Sequence, residues 1–299
     1  MTCPNASKSG PGRSVLPVNW PMSGKTGSGD HGDVDLIMKR STDGGRTWSP
    51  HRIVHEEGGE AKITIGNPCP VVDSKTGSIW LPFTRDNKAV FITSSTDDGQ
   101  TWSAPRNLSA TTMKPDWDWV ATGPGIGIQL TRGKHAGRLV IPSDHKRTLA
   151  GKQLEWNSHM MFSDDGGATW QISAPISAGG NECQVIERAD GSLLVNTRMQ
   201  GGWEGWRGIA TSTDGGATWA VKRQDTNLGS VPGGAAANSL AGTDTDAFYA
   251  TLRHHFELNA GDVERIRRAR STNRGVGENH AHLLSRQRDE ARENEPLPR

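Results

Sequence analysis

The 299 residues carry 34 Lys and Arg against 33 Asp and Glu, a formal net charge of +1. That balance gives no electrostatic reason to expect a nucleic-acid or anionic-membrane partner. Cys3, Cys69 and Cys183 are odd in number and widely spaced, which argues against a disulfide framework or a zinc site, and no apolar run reaches transmembrane length.

From the N-terminus, MTCPNASKSGPGR lacks the apolar stretch of an export signal, so the chain as written reads as soluble, with no compartment assigned. The 37 glycines and 11 tryptophans, with little helical patterning, predict β-structure with many tight turns. Four strand-like runs follow in order: DLIMKRS (35–41), AVFITSS (89–95), HMMFS (159–163) and GIATS (208–212). Each leads directly into one octamer of a single type: STDGGRTW (41–48), STDDGQTW (95–102), SDDGGATW (163–170) and STDGGATW (212–219). The octamers start 54, 68 and 49 residues apart, roughly the length of one four-stranded propeller blade.

The octamer makes sense as a hairpin turn. Its carboxylates (Asp43, Asp97, Asp165, Asp214) can accept backbone N–H groups in the Asx manner. Gly45, Gly99, Gly167 and Gly216 permit positive φ, and Trp48, Trp102, Trp170 and Trp219 supply apolar area to pin the turn to its blade. A calcium-loop reading fails because the closing Glu of such loops is missing each time. The octamer is a folding device, and chemistry has to be sought between its copies.

Between the octamers, in chain order, lie Asp30 in a Gly-rich loop and Asn67 after a short strand. Asp116, Trp117 and Trp119 follow in PDWDWVATGPG (115–125), then Glu182 in NECQVIE, then Arg198 closing LLVNTR. Taken singly, Asp30 is a solvated loop acid, Glu182 a strand-end charge and Arg198 a strand cap. Asp116 and Trp119 suit either stacking against a sugar or packing between blades. The glycines of GPGIGIQ are followed by a strand pattern, so a dinucleotide fingerprint is excluded.

Together these segments resemble a known family. The octamer is the Asp box, and GSGDHGDVDLIMKRS (27–41), IGNPCPVVD (65–73), ATGPGIGIQL (121–130), GRLVIPSDH (137–145), NECQVIE (181–187) and LLVNTR (193–198) are similar to exo-α-sialidase segments. The likeness covers roughly residues 26–225 and implies an all-β, six-bladed propeller of which four to five blades are recognisable. It implies release of terminal α-linked sialic acid from glycans, with retention and without metal or cofactor. The substrate carries a carboxylate at its anomeric carbon, so sialidases use a tyrosine nucleophile where other retaining glycosidases use Asp or Glu. A glutamate activates that tyrosine, an aspartate protonates the leaving oxygen, and three arginines grip the carboxylate through their planar forks. By resemblance Asp30 is the acid/base, with Asp33 and Asp35 as alternatives, Glu182 the activator and Arg198 the second arginine. Asn67 matches a substrate-site turn of the family, and Asp116 and Trp119 are the candidate rim residues beside it, with packing between blades as their alternative.

The family pattern stops at both ends. Residues 1–25 lack the Arg-Ile-Pro motif, Arg13 in RSVLP being a poor match, and the single tyrosine, Tyr249, lies in the wrong context for a nucleophile. Residues 226–299 lose lysine and tryptophan altogether, and 264–299 hold nine arginines, six acids and no aromatic, which predicts partial disorder. An arginine-rich tail without lysine fits translation outside the ancestral frame. The alternative to an enzyme is a non-catalytic glycan-binding or scaffolding Asp-box propeller. The implied partner is a sialylated glycan, with neither nucleic acid nor membrane.

Overall fold

A computed structural model describes strands Ser7–Gly10 and Arg13–Pro21 and residues 31–229, except 44–46, 59–60, 124, 151–153 and 201–205. These residues lie within one compact unit, Met1–Phe248. They form four antiparallel sheets in chain order. The first contains β1 (Ser7–Gly10), β2 (Arg13–Pro21), β3 (Val34–Ser41) and β4 (Arg52–His55). The second contains β5 (Ile65–Gly66), β6 (Val71–Val72), β7 (Ile79–Arg85), β8 (Ala89–Ser95) and β9 (Arg106–Asn107). The third contains β10 (Trp117–Thr122), β11 (Ile128–Gln129), β12 (Leu139–Thr148), β13 (Leu154–Ser163) and β14 (Gln171–Ile172). The fourth contains β15 (Gly180–Glu187), β16 (Leu193–Met199), β17 (Trp206–Ser212) and β18 (Ala220–Gly229). Among the described residues, Ser109–Thr112 and Gly133–His135 supply the helical turns. Arg13–Pro21 pairs along its length with β3, so part of the segment expected to be atypical completes the first sheet.

Strand alternation assigns the faces. Leu139, Ile141 and Met161 join Val90 and Ile92 in the core between sheets two and three. Val140, Met160 and Phe162 point the other way, into a core with Val185, Leu193 and Val195 of sheet four. Both faces of β12 and β13 are therefore covered, which is why each buries seven consecutive residues.

Each Asp box connects the last two strands of its sheet, as a hairpin turn should. Asp97 accepts the Thr101 amide at 2.9 Å and the Thr101 hydroxyl at 2.6 Å, while Ser95 Oγ accepts the Gly99 amide at 2.8 Å. The pattern recurs at Asp165 and Asp214. Gly99, Gly167 and Gly216 have positive φ, whereas Gly45 lies outside the described residues. The box tryptophans go further than pinning their own turns. Trp102 packs on Leu36 and Met38 of sheet one, Trp170 joins the core shared with sheet two, and Trp219 packs on the core shared with sheet three. Trp48 of the first box is 36% exposed, and no sheet precedes its own among the described residues.

Arginines clasp the boxes from the preceding sheet. Arg40 Nε donates to Asp98 O at 2.9 Å, and Arg106 donates to Ala168 O at 2.6 Å and Gly167 O at 3.0 Å. Arg138, 7% exposed, forks onto Asp164 at 2.7 and 2.8 Å, donates to Gly215 O at 3.0 Å and lies 4.3 Å from the Phe162 ring centroid. Box loops are thus joints between sheets. Arg138→Ala should lower unfolding stability by about 2–3 kcal/mol in urea denaturation, because a buried carbonyl is stranded and a charge-assisted fork is lost.

The boxes also predict an acid limb. Hydrogen bonds led by the Thr101 hydroxyl hold Asp97 at about 2. Asp214 is also lowered to about 2, its burial being outweighed by bonds from Thr218 and Ser212. A carboxylate depressed in the folded state stabilises above its unfolded value and loses that contribution as pH falls through the folded one. Tm should therefore fall steeply between about pH 4 and pH 2, and Asp97→Asn should flatten that slope.

Candidate active site

Glu182 and Arg198 are brought together by a β-bulge. β15 pairs Gly180 with Met199 and Cys183 with Thr197, so Asn181 and Glu182 both stand opposite Arg198. The extra residue re-aims the glutamate: Arg198 Nη1 meets Glu182 Oε2 at 3.2 Å. Asn181 Oδ1 accepts the Glu182 amide at 2.7 Å, and Asn181 Nδ2 donates to Gln200 at 2.5 Å, bracing the bulge. The Glu182 side chain is 19% exposed and that of Arg198 10%, so the pair is reachable by a ligand while mostly desolvated. Arg207 pairs with Arg198 across β16 and β17, is fully buried, and donates from Nε to Asn196 Oδ1.

The other expected residues are placed less closely. Asp30 lies outside the described residues. Two residues on, Gly32 donates to Thr64 Oγ1 at 3.0 Å and accepts from it at 3.0 Å, tying that end of the loop to sheet two. Asn67 takes the left-handed conformation (φ 57°), donates from Nδ2 to Thr84 Oγ1 at 2.9 Å, and accepts the Thr122 hydroxyl at its carbonyl, 2.5 Å away. It therefore links sheets two and three. Asp116 ion-pairs with Arg147 at 3.2 Å, and Trp119 sits edge-on to Trp156 at 5.3 Å. These contacts tie both residues to their own sheet rather than to Glu182 or Arg198. Of the alternatives to Asp30, Asp35 is buried, and burial, with Asp33 and Glu56 nearby, raises its pKa. Arg85 holds Glu57 at 2.6 Å, and His55 meets the same carboxylate at 2.8 Å.

Two features escape reading from the sequence. His145 Nδ1 lies 3.0 Å from His159 Nδ1, with Trp117 stacked on His145 at 3.7 Å; burial lowers His145 to about 3 and His159 well below its usual value. Both are thus neutral core histidines. Asp144 is completely buried on β12, and among the described residues neither carboxyl oxygen has a hydrogen-bond partner. Burial pushes its pKa well up, the Glu182 charge adds to the rise, and Arg198 opposes it.

The chain is similar to known proteins in sequence and in fold. A family model described as "BNR repeat-like domain" matches residues 22–289. A sialidase of Micromonospora viridifaciens is 31% identical over 222 residues, covering 68% of this chain and 34% of that protein. A sialidase of Bacteroides fragilis strain YCH46 is 31% identical over 211 residues, covering 62% of this chain and 37% of that one. The chain thus spans little more than a third of the length of these curated relatives. Among solved structures, Hadza microbial sialidase Hz136 superposes with a TM-score of 0.63 at 26% identity, covering 75% of this chain and 46% of that chain.

Proposed function

Because the chain belongs to the BNR-repeat exo-α-sialidase family, and its four sheets are blades of an incomplete propeller of that type, we propose that its site acts on sialylated glycans. In this reading it is a sialidase-type glycosidase site for release of terminal α-linked sialic acid with retention, through a tyrosine nucleophile that this chain does not carry. The observation that carries it is the Glu182–Arg198 contact at 3.2 Å on a bulge between the inner strands of one blade. A guanidinium has five N–H donors in a rigid fork. Arg198 therefore holds Glu182 through Nη1 and offers the rest of the fork to a substrate carboxylate, the charge that distinguishes sialic acid from neutral sugars. Glu182, held by that guanidinium, is the base for a nucleophile's proton. Asp30 supplies the acid from its loop, and Asn67 lines the adjoining part of the pocket. Asp116 and Trp119 are rim residues. Tyr249 is the only tyrosine, lies outside the described residues and is not assigned the nucleophile's role.

A fluorogenic sialoside, assayed with the wild-type chain and Asp30→Ala, tests the reading. Turnover that falls at least about 100-fold in the variant supports it, that being the size of a general-acid contribution. Turnover unaffected by the substitution removes the acid assignment. Saturable binding of 3′-sialyllactose without turnover favours the glycan-binding alternative, and no binding favours a scaffold.

A further inference from the structure

Register gives equivalent positions in successive blades. The first serine of each box pairs with Ile79, Leu139 and Leu193 in blades two to four. Five residues further along the same unbroken strands stand Thr84, Asp144 and Arg198. Thr84 is engaged by Asn67 and Arg198 by Glu182, whereas Asp144 has no hydrogen-bond partner among the described residues.

Asp144 faces the Glu182 blade. It shares strand parity with Val140, which packs into the core with sheet four. Its neighbours are fastened to the two residues that flank Glu182. Ser143 O accepts the Cys183 thiol at 3.6 Å, and Ser158, opposite Asp144 on β13, donates to Asn181 O at 2.5 Å. The charged groups that act on it are Glu182 on β15 and Arg198 on β16, and Cys183 on β15 feels both Asp144 and Arg207 of β17. His145 and His159 have the opposite strand parity and pair with each other. One guanidinium thus meets a partly exposed carboxyl that it contacts and a buried one that it does not.

We infer that Asp144 is the positioning residue for Glu182: a neutral carboxylic acid under the site that does not compete with Glu182 for Arg198. This rests on the proposed role of Glu182, and it adds a residue to the site without changing the reaction. Two carboxylates cannot both ionise beside one partly engaged cation in a desolvated cleft without large repulsion, and the more buried one keeps its proton.

The test uses the full chain and needs no sialoside, so a failed turnover or binding assay leaves it intact. A folded state that retains a proton the unfolded chain releases loses stability as pH rises above the ordinary carboxyl value. Asp144→Asn mimics the neutral acid and escapes that loss. Its Tm should exceed wild type by at least about 3 °C at pH 7, with the difference closing towards pH 3. In a Glu182→Gln background the gain should shrink, because one source of the elevation is gone. An infrared band of a protonated carboxyl, present in the wild-type chain at pH 7 and absent from Asp144→Asn, reads the same state directly. A lower Tm for Asp144→Asn at pH 7, or the absence of that band, overturns the neutral acid. An equal gain in both backgrounds overturns its coupling to Glu182.

Discussion

Gly167→Ala is expected to destabilise the chain by about 3–5 kcal/mol in chemical denaturation, one of the largest single-methyl effects available in this fold. Two costs combine. Gly167 has φ +96°, a conformation that L side chains rarely adopt, which accounts for about 1–2 kcal/mol. An added Cβ would also lie 2.1 Å from Trp80 Cε2 and 2.5 Å from Trp80 Nε1, well inside contact distance. Trp80 belongs to blade two and packs against the core shared with blade three, so pushing it aside opens an inter-blade joint. Gly137→Ala separates the costs. Its φ is also +96°, but nothing lies within 4 Å of an added Cβ, so only the backbone cost of about 1–2 kcal/mol should appear. Equal losses in the two variants would show that the contact with Trp80 contributes nothing.

Arg198→Ala is expected to weaken binding of free sialic acid at least about 100-fold at pH 7, as measured by calorimetry, with turnover lost in parallel. The guanidinium is both the proposed clamp on the substrate carboxylate and the counter-ion of Glu182, 3.2 Å away. Its removal leaves Glu182 repelling an anionic ligand from a largely desolvated position. Arg198→Lys keeps the charge and loses the fork, so it should recover only part of the affinity. Glu182→Gln should behave differently: the competing anion is gone and Arg198 is free for the ligand, so affinity is retained or improved while turnover falls. Parallel loss of affinity in Arg198→Ala and Glu182→Gln would place both residues in a structural pair outside the carboxylate site.

The arginine clasps give the Asp box a second task. Its internal hydrogen bonds shape the turn, but the carbonyls they leave outward are what Arg40, Arg106 and Arg138 hold from the preceding sheet. The box tryptophan crosses the same joint in the opposite direction, from its own sheet to the core of the preceding one. Stability of such an array is then dominated by nearest-neighbour contacts between blades. That is why the most damaging substitutions proposed here sit at joints rather than within sheets.

Much was legible from the chain alone, because it rests on local chemistry. An octamer that repeats its Ser, Asp, Gly, Thr and Trp dictates one hairpin turn wherever it occurs, and strand runs leading into it make the four sheets and their order readable. Glu182 and Arg198 could be singled out because their strings, NECQV and LLVNTR, carry the family likeness. What no string carries is which side chains meet across strands. The bulge that sets both Asn181 and Glu182 opposite Arg198 is a matter of register. The burial of Asp144, His145 and His159 comes from neighbouring blades covering both faces of their strands. In sequence Asp144 and His145 merely close the run GRLVIPSDH, and nothing in that string marks them as buried. Only tertiary packing takes Asp144 out of water and sets it against Glu182 and Arg198 from the next blade, since desolvation and Coulomb energy depend on distance in space rather than along the chain.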